Sequence, residues 1–365
     1  MRGVDRRVVQ NFDGLLFGLV TGLVVIGLVN LASASHTDVG ISDALRRQLV
    51  SLGIGAVAMG VTVMFDYRHY ERLALPAYLG SLALLGLTLV VAPLTRGSQS
   101  WLLEGRLQPA EIAKLGLVLV LARHFHRNPA GEVRRVRDLM WPALLVALPM
   151  GLIVLQRDLG VALLTLLVGS TYLALVRIPK RAWVAVALAG IAALAVIWLY
   201  GLQPYQRERI LDVVDSGRDP LASGYQVNQS RIAVGSGGLF GKGYREGTQS
   251  QLRFLPTQHT DFAFSVLAEE WGFVGSVVVL GTFAVLLVWG LVIASKAKDG
   301  FGAMLAVGVV GMFFWPAVLN VGMVLGIMPV IGVPLPFISY GGSALVTNLI
   351  AVGLLMNVSL RRWVF

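Results

Sequence analysis

The chain has 365 residues, of which 56% are hydrophobic and only 14% are charged, and its formal net charge is +10. A typical soluble domain is about 25% charged, so this composition excludes an ordinary soluble enzyme, a disordered tail and a collagen-like chain, and it argues against nucleic-acid binding as the reason for the basicity. The chain contains no cysteine, which excludes disulfides, thiolate metal sites and cysteine nucleophiles.

Long apolar segments follow one another along most of the chain. A transmembrane helix needs about 20 largely apolar residues, and the sequence predicts ten spans. They are Leu15–Leu31, Leu45–Met64, Leu73–Ala92, Ile112–Ala122, Leu139–Leu155, Leu159–Val176, Ala182–Tyr200, Phe262–Ile293, Met304–Leu325 and Ser343–Val358. The predicted fold class is therefore an all-α polytopic membrane protein that forms a single domain over residues 1–365. No cleavable signal peptide is evident, because the first apolar run is long enough to span.

The distribution of Lys and Arg predicts the orientation. With the N-terminus inside, seventeen of the 30 basic residues fall in inner segments and five in the short outer loops. Cytoplasmic loops carry the excess of positive charge in membrane proteins, so both termini are expected in the cytoplasm and the long loop, residues 201–260, outside. The inner basic residues also suit anionic membrane lipids.

A pair of opposite charges lies near the start of the fourth span. Glu111 and Lys114 are three residues apart and share a helix face. Ionisable groups inside a membrane are costly and mark candidate functional sites. Two interpretations stay open: a local ion pair that neutralises two buried charges, or a pair that lines a polar cavity. Gln108-Pro109 before it favours a helix start at this point.

Other acidic residues lie at or inside predicted spans. Asp261 opens the eighth span in Gln258-His259-Thr260-Asp261 and is either a helix cap or a carboxylate that accepts a proton from a substrate hydroxyl. Glu269-Glu270 follow about two turns later and are more readily explained as paired or interfacial acids. Arg157-Asp158 occupy a tight outer turn, for which a structural role is favoured.

Glycine and proline concentrate in the outer loops. The long loop holds Gly235-Ser236-Gly237-Gly238 and Gly241-Lys242-Gly243, which form either turns or an amide-lined anion site. The last outer loop, Gly326–Gly342, has three prolines and no basic residue. Irregular backbone near membrane depth is tolerated only where protein or a cavity surrounds it. We therefore expect loops 93–110, 201–260 and 326–342 to meet over one outward-opening cavity.

Four longer motifs lie in or beside the outer loops. They are Arg96–Lys114 (RGSQSWLLEGRLQPAEIAK), Gly224–Gly243 (GYQVNQSRIAVGSGGLFGKG), Gly247–Gly275 (GTQSQLRFLPTQHTDFAFSVLAEEWGFVG) and Pro334–Ser343 (PLPFISYGGS). These motifs resemble those of the SEDS family, named for shape, elongation, division and sporulation. The resemblance covers nearly the whole chain, and the short N-terminus opening on Asn11-Phe12-Asp13 and the run Leu267-Ala268-Glu269-Glu270 are most similar to its cell-elongation branch.

The resemblance implies a peptidoglycan glycosyltransferase of the cytoplasmic membrane. Such an enzyme polymerises the lipid-linked disaccharide lipid II on the outer membrane face, and its implied partner is a class B penicillin-binding protein that supplies transpeptidation. Asp261 is implied as the essential acid, and Glu111 and Lys114 match the polar pair of the fourth helix. The implied substrate-binding residues are Trp101, Gln108, Gln226, Ser230, Ser236, Gly237, His259, Thr260, Ser339, Tyr340 and Ser343.

Two positions depart from the family pattern. Ala110 stands where the family usually has serine, so that hydroxyl is either dispensable here or was never a contact. Thr257-Gln258 replace the usual acidic residue before His259, which weakens any role for an acid at that point.

An inverting β-1,4 glycosyl transfer needs a base on the acceptor hydroxyl and a stabilised leaving diphosphate. We assign Asp261 as the base, held ionised by Lys114. Arg209, Arg231 or Lys242 would face the diphosphate, with or without a divalent cation such as Mg²⁺ or Mn²⁺. Two alternatives stay open on the residues alone: a lipid II flippase, and a non-catalytic membrane scaffold that activates a penicillin-binding protein.

Overall fold

The computed structural model describes residues 12–36, 41–94, 98–103, 105–129, 135–176, 179, 181, 183–188, 190, 207, 223–252 and 254–362. Within these ranges the protein is helical, and the only β-type pairing is an isolated bridge between Leu102 and Leu107. The helices are α1 (Gly14–Ala34), α2 (Asp43–Met64), α3 (Tyr67–Val91), α4 (Pro109–Arg127), α5 (Met140–Leu155), α6 (Leu159–Ser170), α7 (Ser223–Ser236), α8 (Thr248–Gln251), α9 (Ala263–Ser295), α10 (Gly300–Val324) and α11 (Gly342–Arg361).

Nine of the ten predicted spans coincide with helices of the described chain. Seven helices are long and apolar enough to cross a membrane, and a shorter apolar segment, Leu159–Leu175, continues α6 through a 3₁₀ turn. The fourth span was predicted too short: α4 runs from Pro109 to Arg127, because a Gln-Pro start and buried polar side chains extend it beyond the apolar run. Most of the seventh span, Ala182–Tyr200, lies outside the described residues.

Side-chain caps fix where several helices begin. The carboxylate of Asp13 accepts from Leu16 N at the start of α1, Ser42 caps α2, Asp66 caps α3 and Asp299 caps α10. A cap satisfies one of the orphan amide groups of the first turn and contributes about 1 kcal/mol. The Asp13 carboxylate also accepts from Trp289 Nε1 (3.0 Å) and from Ser359 Oγ (2.6 Å), which joins α1 to α9 and α11.

The centre of the bundle is formed by α4, α10 and α11. In their apolar windows α10 and α11 are 72% and 78% buried, against 17% for α2, which exposes most of its surface. The outer helix α2 packs along α11 through small residues: Gly55 faces Leu349, and Gly353 faces the backbone of Met59. The most enclosed helices therefore carry the polar residues of the candidate site.

Candidate functional site

The first cluster lies at the start of α4, where the predicted ion pair is present. Lys114 Nζ donates to Glu111 Oε1 at 2.8 Å, and the two residues are only 5% and 4% exposed. Gln108 is the N-cap residue and Pro109 occupies the first turn, as expected for a residue that lacks an amide hydrogen. The pair is neutral as a whole, which lowers the cost of holding two charges in the bundle.

A third ionisable residue, Asp158, reaches this cluster from the turn before α6. Its Oδ1 accepts from Val161 N (3.2 Å) as a helix cap, and its Oδ2 accepts from Gln108 Nε2 (3.5 Å). Burial raises the pKa of the Asp158 carboxyl, while the hydrogen bond from Val161 and the charge of Lys114 oppose that rise. The expectation of a structural turn was correct, but the same carboxylate also belongs to the polar cluster.

Ser343, the second residue of α11, ties the last outer loop to this cluster. Its hydroxyl accepts from Gln108 N (3.1 Å) and donates to Arg106 O (2.7 Å). Loops 93–110 and 326–342, two of the three outer loops that were expected to meet, are therefore joined through this serine.

The second cluster surrounds Asp261, which is half-buried just before α9. The amide of Asn320, a fully buried residue of α10, donates to both Asp261 O and Val333 O at 2.8 Å. It thereby joins the residue implied as the essential acid to the last outer loop. A Cβ placed on Gly332 would lie 3.7 Å from Asp261 Oδ2, so that loop passes directly beside the carboxylate.

His259 and Tyr340 also lie in the second cluster. Tyr340 N donates to His259 O at 2.9 Å, and the two rings are 5.9 Å apart. The hydroxyl of Thr260 donates to Thr257 O at 3.2 Å. The end of the long loop therefore contacts the last outer loop at His259, two residues before Asp261.

The two clusters are connected by the close approach of α6 to the last outer loop. A Cβ added to Gly160 would overlap the carbonyl oxygen of Ile331. Because Gly160 follows Asp158 by two residues and Ile331 precedes Gly332, the loop residues 331–333 lie between the two acids. Only a glycine permits this backbone contact.

We expect Gly160→Ala to destabilise the protein by about 1–3 kcal/mol, because overpacking a close backbone contact forces α6 and the loop apart. Thermal unfolding of the purified protein in detergent measures the loss. Gly151→Ala on α5 is the matched control, since a Cβ there meets no atom within 4 Å, and its helix should be unchanged or slightly stabilised. Equal unfolding temperatures for the two variants would contradict the proposed contact.

The middle of the long loop, residues 237–251, is held by the buried acid Glu269. Its Oε1 accepts from Lys242 Nζ (2.8 Å) and Gln249 N (2.9 Å), and its Oε2 accepts from Ser250 N (3.1 Å). Its neighbour Glu270 accepts from the hydroxyl of Ser33 on α1. Glu269 is thus paired with Lys242, as predicted, whereas Glu270 makes hydrogen bonds but no ion pair among the described residues.

The remaining predicted substrate-binding residues take different positions. Ser230 is fully buried on α7 and its hydroxyl bonds Val324 O (2.7 Å) and Ser265 Oγ (2.8 Å), so it joins helices. Ser339 is buried and accepts from Leu335 N (3.0 Å). Gly237 packs against the backbone of Ala268. Arg209 lies outside the described residues.

Four predicted residues are partly or largely accessible. Trp101 and Gln226 are half-buried, and Arg231 and Ser236 are exposed. The methylenes of Arg231 lie near Gly326, at the start of the last outer loop. Because Lys242 is already paired with Glu269, Arg231 is the more accessible of these two cations.

The described residues were also compared with the needs of a divalent cation. No group of three or more His, Asp or Glu side chains within those ranges is arranged to hold one, and Glu111 is occupied by Lys114. The residues described do not fit a protein-held metal.

Two residues of the site were missed or undervalued from the sequence. Asn320 is a buried amide in an apolar span, a signal that marks functional positions in membrane helices. Asp158 looked like a turn residue because its partner Gln108 is distant in sequence. For Asn320, the usable sequence signal was a polar side chain inside an apolar span. For Asp158, the sequence offered no such signal.

Comparison with known proteins was made against this geometry. The family model described as "Cell cycle protein", FTSW_RODA_SPOVE, matches residues 13–363. The chain belongs to this family. It is 38% identical over 355 residues to the peptidoglycan glycosyltransferase MrdB of Escherichia coli strain K12, an alignment that covers 96% of this chain and 94% of that one.

Solved structures agree with this assignment to the FtsW/RodA/SpoVE (SEDS) family. A chain from the structure described as "Structural coordination of polymerization and crosslinking by a peptidoglycan synthase complex" is 37% identical, with a TM-score of 0.79, over 97% of this chain and 99% of that chain. The rod shape determining protein RodA of Thermus thermophilus is 35% identical with a TM-score of 0.71, over 96% and 98%. The protein is accordingly a multi-pass protein of the cytoplasmic membrane.

Proposed function

We propose that this SEDS protein is a peptidoglycan glycosyltransferase of cell elongation that polymerises lipid II, with Asp261 as the general base. The observation that carries the proposal is the position of Asp261: it is half-buried at the start of α9, and the last outer loop is joined to its backbone through Asn320. Relatives that match nearly the whole chain are named peptidoglycan glycosyltransferases.

The reaction forms one bond and breaks one bond at the anomeric carbon of the donor. The 4-hydroxyl oxygen of the acceptor sugar attacks C1, and the bond from C1 to the diphosphate oxygen breaks with its electron pair leaving on the diphosphate. The hydroxyl proton passes to the Asp261 carboxylate, which must be ionised to accept it. Attack opposite the leaving group converts an α-linked donor into a β-1,4 link.

Three ionisable groups of the first cluster interact with one another. Lys114 donates to Glu111, and its positive charge favours the ionised form of Asp158. The expectation that Lys114 also favours ionised Asp261 remains a proposal and follows from the attraction of opposite charges.

The leaving diphosphate needs a cation that substrate can reach. Arg231 meets that need among the predicted cations of the described chain, since it is exposed beside the last outer loop while Lys242 is bound to Glu269. We assign Arg231 to the diphosphate. Arg209, which lies outside the described residues, stays a second candidate for binding the diphosphate.

The same proposal includes the partner and the topology. A class B penicillin-binding protein would cross-link the emerging strand, which agrees with the description of a related structure as a complex that coordinates polymerisation and crosslinking. The proposed topology has ten spans with both termini in the cytoplasm, and it would put Asp261 and the last outer loop on the outer face, where lipid II is available.

The test is polymerisation of purified lipid II by the purified protein in detergent, with and without its cognate penicillin-binding protein. A polymerase is expected to form glycan strands without any second compartment, and addition of the partner should increase the rate. A flippase would show activity only across a bilayer. A scaffold would leave polymer formation dependent on the partner's own chemistry, so strands made by the protein alone would contradict both alternatives.

A further inference from the structure

Helix α9 is broken at Gly272, and a loop completes the broken hydrogen bonding. Gly272 has φ 68° and ψ −163°, a conformation that favours glycine. The amide groups that follow the break donate to the loop: Phe273 N bonds Gly238 O (2.9 Å) and Val274 N bonds Leu239 O (3.0 Å). The loop is therefore fixed to the helix through its backbone.

The carbonyl groups before the break are satisfied in the same way. Lys242 N donates to Glu269 O (3.0 Å) and Gly243 N donates to Glu270 O (3.1 Å). Backbone groups near the membrane must find protein partners, because hydrocarbon offers none. The loop thus supplies hydrogen-bond partners to the backbone on both sides of the kink. Its tip, residues 238–240, has a defined position beside Phe273.

Helix length places this kink at the membrane boundary. The whole of α9 has 33 residues and would extend about 50 Å at 1.5 Å per residue. The 23 residues after Gly272 extend about 34 Å, which by itself crosses a hydrocarbon core of about 30 Å. The part before the kink is consequently not needed to span, and the kink lies near the outer limit of the core.

Burial changes at the same point. Residues 262–270 of the chain are buried without a break, whereas from Phe273 onward exposed and buried positions alternate as on a lipid-facing helix. Phe273 is 63% exposed and continues into Val277 and Val278 on that face. The lipid-exposed surface of α9 therefore begins where the loop tip is attached.

The tip itself is apolar and uncovered. Leu239 is 65% exposed and Phe240 is 80% exposed, and the backbone of both lies against Gly272, next to the exposed Phe273. Five residues beyond Phe240, Arg245 stacks over the Tyr244 ring at 5.2 Å. Tyrosine is enriched at membrane–water interfaces, and arginine keeps its charged head in water there.

We propose that the loop tip Gly238–Phe240 is inserted into the membrane, with Leu239 and Phe240 in contact with the acyl chains of the leaflet beside the Gly272 kink of α9. The occupant of this surface is lipid, because the patch continues the lipid-facing surface of a spanning helix at the depth where hydrocarbon begins. The insertion anchors the segment 237–251 to the bilayer as well as to Glu269. It does not depend on the catalytic role of Asp261.

Site-directed spin labelling tests the insertion directly, since the chain has no cysteine. Single variants Phe240→Cys, Val278→Cys and Glu246→Cys are labelled with a nitroxide in the full chain and placed in phosphatidylcholine–phosphatidylglycerol nanodiscs without any partner. Power saturation then compares collisions with oxygen, which concentrates in hydrocarbon, and with a nickel chelate, which stays in water. Val278 is the hydrocarbon control and the exposed Glu246 is the aqueous control.

The expected result is a positive depth parameter at 240, smaller than that at 278, and a negative value at 246. A value at 240 equal to that at 246 would place the tip in water and overturn the proposal. Exclusion of both reagents at 240 would also overturn it, because a protein surface rather than lipid would then cover the tip. Gel filtration of each labelled variant confirms that it stays folded.

Discussion

Replacing Asp261 by Asn is expected to lower the rate of lipid II polymerisation by about 10²- to 10⁴-fold, the contribution of a positioned general base. The amide has nearly the shape of the carboxylate but does not accept the acceptor proton. The backbone of residue 261 stays bonded to Asn320, so the unfolding temperature should change little. The measurement is strand formation from purified lipid II, paired with thermal unfolding in the same detergent.

The matched control for this variant is Glu246→Gln. Glu246 is an exposed acid of the same long loop, so its replacement removes one negative charge without touching the second cluster. We expect its polymerisation rate to remain near that of the unmodified protein. If Asp261→Asn were folded and equally active, Asp261 would not be the base, although the protein would still be a polymerase.

Replacing Lys114 by Met is expected to destabilise the protein by about 3–5 kcal/mol, because it leaves the Glu111 carboxylate buried without a countercharge. The double variant that adds Glu111→Gln should recover at least half of that loss, since it removes the uncompensated charge. Thermal unfolding in detergent, followed through intrinsic tryptophan fluorescence, measures both changes. Polymerisation should fall in both variants, since the charge beside Asp158 is lost.

A second ion pair on the same helix provides the control. Arg127 Nε lies 3.6 Å from Glu71 Oε1, and the arginine side chain is largely exposed. Exposed pairs are worth about 0–1 kcal/mol, so Arg127→Met should shift the unfolding temperature only slightly. A Lys114→Met variant as stable as Arg127→Met would show that the buried pair is not held as the structure has it.

Local patterns were enough to predict much of this architecture. Runs of about 20 apolar residues predict spans because water-free surroundings demand internally satisfied helices, and nine predicted spans coincide with described helices. The spacing of Glu111 and Lys114 predicted their ion pair because residues three apart share a helix face. The predicted ends of the spans were less accurate. Helix α4 is longer than the predicted fourth span, because a search for apolar runs stops at polar residues even where they are buried.

Contacts between distant segments could not be predicted from these patterns. Asp158 follows Glu111 by 47 residues, and nothing in its turn sequence indicates that its carboxylate reaches Gln108. The same holds for Asn320, whose amide joins Asp261 to Val333 across three chain segments. Such contacts depend on how the helices pack against one another, and the hydrophobic pattern of a single segment carries no information about that packing.

The sequence alone determined that the chain is a polytopic helical membrane protein, that Glu111 and Lys114 share a helix face, and that Asp261 stands where a loop meets a span. Hydrophobic length, helical spacing and charge are properties of one segment, so one segment suffices to read them. The tertiary structure decided which acids share a cluster and which loop lies between them. It also decided that Lys242 forms an ion pair with Glu269. Those outcomes required helices to pack first, because close backbone contacts such as Gly160 with Ile331 set the distances between residues that are remote along the chain.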